Sequence, residues 1–161
     1  MDAESGRALA HLIRTQRVAA LGTIWDGAPL VSLVLAAAAP DFSSFYIHVS
    51  RLAQHTQAIL QDARVSLMLA EPDDGSQNPQ TLARLSLRGE ALELAPTAAD
   101  YDAAKSLYLA KFPGAAFNFG LGDFSLYRIR PREARYVGGF GKIFDLTAED
   151  FAQVASLGPG L

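Results

Sequence analysis

Cysteine is missing altogether from this 161-residue chain. That removes disulfides, thiolate zinc sites and cysteine nucleophiles together, and it fits a reducing compartment. Charge is sparse at 19%, while half the residues are hydrophobic, so disorder is excluded as a global description. There is no basic excess. Fourteen Lys and Arg face seventeen Asp and Glu, for a net charge of −3, whereas a nucleic-acid binder would carry a basic face. The longest apolar run, Leu30 to Ala39 with Ser32 inside it, is too short to span a bilayer. The N-terminus, Met1-Asp2-Ala3-Glu4-Ser5, lacks a basic stretch followed by an apolar one, so no secretory signal is visible. These absences point to a single cytoplasmic domain over residues 1–161, with neither nucleic acid nor membrane as partner.

What is present reads mainly as strands. Residues 1–16 carry Ala8, Leu9, Leu12 and Ile13 at helical spacing. Val18 to Trp25 and Pro29 to Leu35 are strand-like runs joined by Asp26-Gly27, a type I′ hairpin signal. Ser44 to Val49 predicts a third strand. Helical periodicity then puts Leu52, Thr56, Ile59 and Leu60 on one face, with Ser50 or His48 as N-cap. Arg64 to Leu69 is another strand, and Glu71 to Pro79 a loop. In 82–95 the apolar phase shifts from odd positions (Leu85, Leu87, Gly89, Ala91) to even ones (Leu92, Leu94), which predicts a bulge or bend near Gly89–Ala91. Thr97 to Asp100 opens a helix to about Lys111, ended by Pro113-Gly114. Phe124–Arg130 and Ala134–Val137 are strands around Pro131, and Thr147 caps a last helix over 147–157. Six or seven strands, joined more often to one another than to helices, favour an antiparallel barrel with peripheral helices.

Ser50-Arg51 is the first candidate site. A helix N-terminus attracts phosphate, Ser50 can donate a hydroxyl and Arg51 can pair bidentately with an anion. The plain alternative is an N-cap serine beside a solvated arginine. Ser32 lies among apolar neighbours and needs a partner, either the backbone or a ligand. Arg84, in an apolar strand, wants an anion, or else Glu71 or Glu90. Of the three histidines, His11 reads as surface, while His48 and His55 flank Ser50-Arg51 without metal-site spacing. Gly138-Gly139-Phe140-Gly141-Lys142 matches neither phosphate-loop spacing and reads as glycine-rich strand permitting close backbone approach. No residue stands out as catalytic.

Several stretches together resemble the FMN-binding split β-barrels related to pyridoxamine 5′-phosphate oxidase. They are Pro29-Leu30-Val31-Ser32-Leu33-Val34, Phe45 to Arg51 with Gln54-His55, Asp62 to Leu67, and Arg84 to Ala91. The stretches Gly122 to Arg128 and Arg135 to Gly141 look closest to the subgroup that includes haem-utilisation proteins. The resemblance implies a mainly β antiparallel split barrel and a homodimer with FMN at the subunit interface. It also implies a phosphate gripped by Ser50-Arg51, flanked by His55, and by the second strand at Leu30, Val31 and Ser32, with Arg84 near the flavin. Departures are visible: Pro29, Val34 and Leu52 stand where the oxidases carry basic residues, and no Arg-x-His element follows Gly141. An FMN-dependent oxidoreductase other than the true oxidase is therefore expected, with a haem-binding or haem-degrading protein on the same fold as the alternative.

Overall fold

The computed structural model describes residues 1–157. Helix α1 (Ala3–Thr15) opens at Asp2, whose carboxylate accepts from the Ser5 amide and hydroxyl, giving a donor of the first turn its partner. Strands β1 (Val18–Trp25) and β2 (Ala28–Leu35) form the expected hairpin. Asp26 and Gly27 both take positive φ, 49° and 78°, as a type I′ turn requires. There follow β3 (Ala37–Ala38), β4 (Phe45–Ser50), α2 (Gln54–Gln61), β5 (Arg64–Ala70), β6 (Arg84–Glu93), α3 (Tyr101–Lys111), β7 (Phe124–Val137), β8 (Ile143–Leu146) and α4 (Ala148–Ser156).

The sheet runs β2-β1-β5-β6-β7-β4-β3, antiparallel throughout, with β8 beside the end of β7. Because β7 is 14 residues long, β6 follows one of its edges while β4 and β8 share the other. Strands β2 and β4 come into contact without sharing a ladder, so the sheet curls into a barrel left split along that seam. This is the expected architecture, with eight strands rather than six or seven: the runs 124–130 and 134–137 are one continuous strand through Pro131, while β3 and β8 span two and four residues, too few to show a period of two. Inward residues such as Phe45, Ile47, Leu67, Leu85, Leu87, Tyr127 and Ile129 meet Leu9 and Ile13 of α1 and Phe151 of α4 in one core. A second core lies on the outer face, where Tyr108 and Phe112 pack on Tyr46, Leu94 and Leu126. Among the described residues no helix is long and apolar enough to cross a membrane.

The phase change in β6 is a bulge whose extra residue sits on the partner strand: Arg88 pairs with Glu133 and Gly89 with Pro131, leaving Arg132 unpaired on β7. A Cβ on Gly89 would run into the Arg130 carbonyl, which is why glycine stands there. The Thr97 box does not form, and α3 begins after Asp100 without a side-chain cap, whereas Thr147 and Asp150 make a full capping box. Gly138 to Lys142 is not strand but the turn into β8, with Gly139 and Gly141 at φ 116° and 76°. Helix α2 buries Thr56, Ala58 and Ile59 but leaves Leu60 in solvent, and Leu52 precedes it, 84% exposed.

Candidate ligand-binding site

Ser50 ends β4 as a strand residue opposite Phe124, and the Arg51 amide donates to the Asp123 carbonyl at 2.6 Å. The chain then turns, and α2 starts at Gln54 with Ala53 as N-cap. Neither Ser50 nor His48 caps that helix, because both lie in β4 and the first helical residue is Gln54; the helix-terminus argument for an anion does not operate at Ser50-Arg51. Their side chains are engaged. Ser50 Oγ donates to Asp123 Oδ2 at 2.6 Å and accepts from the Leu52 amide at 3.1 Å. Arg51 donates through Nε to Ser125 Oγ at 3.1 Å and through Nη2 to Glu93 Oε1 at 2.7 Å. Ser125 Oγ closes the ring by donating to the same Glu93 oxygen at 2.8 Å. Burial pushes the Glu93 carboxyl up, its largest single influence, yet the bonds from Ser125 and Arg51 together hold it below its ordinary value. The Tyr127 hydroxyl is buried with no partner among the described residues, and burial, then the Glu93 charge, raises its pKa.

The remaining candidates are dispersed. Ser32 is half-buried on β2 opposite Leu21, and His55 is half-buried in the first turn of α2. Arg84 donates to the carbonyls of Gln80 and Leu82 at 3.3 and 3.1 Å, pairing with neither Glu71 nor Glu90. It begins β6 and Glu93 ends it, a separation of roughly 30 Å at the rise of a strand. Arg84 and Arg51 therefore lie at opposite ends of the barrel within one chain. His48 stacks on Phe119 at 3.7 Å with Tyr108 edge-on. Its Nδ1 is buried with no partner among the described residues, and burial, then Lys105, lowers its pKa to about 4.

Leu30 and Val31 belong elsewhere, in a groove across the outer face of the sheet. One rung of the ladder runs Val31–Gly22–Ser66–Arg88–Glu133 over five strands, about 19 Å at the usual strand spacing. Over it lies a cavity of about 520 Å³ walled by Ile24, Pro29, Leu30 and Val31 at one end and by Arg64, Arg88 and Arg132 at the other. A second cavity of about 400 Å³ shares Glu90 and Arg132 with it and continues past Arg130 and Arg128 to Leu92 and Leu94. A Cβ on Gly22 would strike Ser66 Oγ, so the floor is flat there. Sequence reasoning gave these arginines no role, although Arg128 and Arg130 alternate on β7 before Arg132, which is the signature of one strand face.

The chain is similar to the chloroplastic non-canonical heme oxygenase HOZ of Arabidopsis thaliana, 38% identical over 121 residues, covering 74% of this chain and 35% of the relative. It is similar to heme oxygenase HutZ of Vibrio cholerae at 25% identity, covering 72% of this chain and 66% of the relative. The solved heme binding protein of Mycobacterium smegmatis superposes with a TM-score of 0.79 at 28% identity, covering 94% of this chain and 60% of that one. This chain thus spans from about a third to two-thirds of the length of these relatives. Residues 1–153 match the family described as CREG, beta-barrel; the chain belongs to the CREG β-barrel family.

Proposed function

We propose that this chain binds haem in the outer-face groove, and that it does so as a homodimer. The observation that carries this reading is the engagement of Ser50 and Arg51 by Asp123 and Glu93. A phosphate arriving there would meet two carboxylates that already hold the donors, so the residues present do not fit the FMN phosphate. That places the flavin reading second. The relatives named for heme support the haem reading, and because the chain spans only part of their length, binding is carried over rather than oxygenase turnover.

The groove fits a flat apolar ring bearing acid groups. Its floor is flush at Gly22, its walls are apolar at Ile24, Pro29, Leu30 and Val31, and Arg64, Arg88 and Arg132 line the other end together with Glu90 and Glu133. No His, Tyr or Met is among the lining residues, so no iron ligand is assigned to them. Bound haem would supply an iron centre for ligand or redox chemistry. The protein's part is to hold the ring, exclude water from its apolar edge and pair with an acid group. The dimer rests on the outer face of β2, an edge strand whose Val31 and Leu33 are 71% and 72% exposed; such a face calls for cover.

Titration of the purified chain tests this. A saturating Soret band on haem addition is expected, with FMN fluorescence left unquenched in a parallel titration. Stoichiometric quenching of FMN, with no Soret change, would sink the proposal.

A further inference from the structure

We infer that Arg130 is the anchor for a carboxylate of the ligand in the groove, so that a tetrapyrrole enters with an acid edge toward β7 and its apolar edge toward Leu30 and Val31. This rests on the haem reading above. Cations are plentiful in the groove, but nearly all are spoken for. Arg64 pairs with Asp62, Arg88 with Glu133 at 2.9 Å, Arg128 with Asp100 at 2.8 Å and Arg132 with Glu90 at 2.8 Å. Beyond the rim Arg51 is held by Glu93. Among the described residues Arg130 alone of the groove's arginines has no carboxylate partner.

Arg130 is left open by the geometry of the bulge. Arg130 stands directly opposite Glu90 in the β6–β7 ladder, the position where a cross-strand pair would normally form. The extra residue Arg132, set on the strand by the bulge, takes that glutamate instead. A solvent-exposed guanidinium with no carboxylate partner is left over a cavity whose other walls include Leu92 and Leu94.

The charge balance selects the ligand. Three arginines against Glu90 and Glu93 leave one positive charge in that cavity. This suits the monoanionic, planar carboxylate that a guanidinium binds bidentately. A phosphate dianion would face both glutamates with only one free cation to meet it. The apolar walls beside the cation require the acid to be carried on a hydrophobic body, as a propionate is on a porphyrin.

The test compares haem with its dimethyl ester, which keeps the ring and the iron but loses the acid charge. Wild type should bind haem about tenfold more tightly than the ester, the discrimination typical of one charge-assisted contact at a partly exposed site. Arg130→Gln should bind the two alike, Arg130→Lys should recover part of the difference, and the distant surface variant Arg7→Gln should match wild type. Circular dichroism of each variant checks that the fold is retained. Equal haem affinity in wild type and Arg130→Gln, or no ester discrimination in wild type, would overturn the anchor and leave haem binding standing. No Soret response from any protein would bring down the anchor and the haem reading together.

Discussion

At Ser50 and Arg51 two carboxylates stand where an anionic ligand would have to go. The bond between Ser50 and Asp123 is charge-assisted and partly buried, a class that contributes about 1.5–3 kcal/mol. The Arg51–Glu93 pair is half-exposed and contributes less, because solvent screens it. Neutralising both acids should free the donors: the double variant Asp123→Asn, Glu93→Gln is expected to gain measurable affinity for inorganic phosphate by calorimetry, where wild type shows none. An unchanged thermogram would mean that the carboxylates are not what closes the seat. His48 gives a second prediction. Its folded pKa of about 4, lowered by burial and then by Lys105, lies below the ordinary 6.5, so the unfolded chain takes up its proton first. Stability is then full above about pH 6.5 and declines as pH falls toward about 4. His48→Phe keeps the stacking on Phe119 and should flatten that part of the melting temperature against pH; an unaltered profile would clear His48 of the effect.

Among the elements, the β6–β7 bulge does most to shape the groove, since it sets Arg132 against Glu90 and brings Gly89 against the Arg130 carbonyl. Gly89→Ala should cost about 1–3 kcal/mol in urea denaturation, the range for forcing extra volume into a packed site; a neutral result would show that the two strands can part there cheaply. Local chemistry made several elements legible in the sequence. Asp26-Gly27 declared its hairpin, Thr147 its capping box, and the odd-to-even shift of apolar residues its irregularity near Gly89. Other features depended on residues remote in the chain. Ser50 reads as a helix cap because nothing nearby reveals its pairing with Phe124. Arg51 reads as a free cation because Glu93 lies 42 residues away, and Ser50 reads as a free hydroxyl because Asp123 lies 73 away. Residue type thus singled out these positions but not the carboxylates beside them, since long-range partners leave no local trace. The groove arginines did leave one, in their alternation along β7.

For the whole molecule the apolar outer face of β2 is the feature a lone chain explains least. Leu33→Glu sits on a surface position, so the folded monomer should tolerate it within about 0.5 kcal/mol. Sedimentation is expected to give a dimer for wild type and a 17.2 kDa species for the variant; a monomeric wild type would remove the homodimer. The groove and the closed phosphate seat make one combined claim about the ligand, and it can be read from a single preparation. Wild-type protein isolated from cells supplied with both haem precursor and riboflavin should carry haem, seen as a Soret band and as extractable protoporphyrin, with no FMN released on denaturation. Stoichiometric FMN in that extract, without haem, would contradict it.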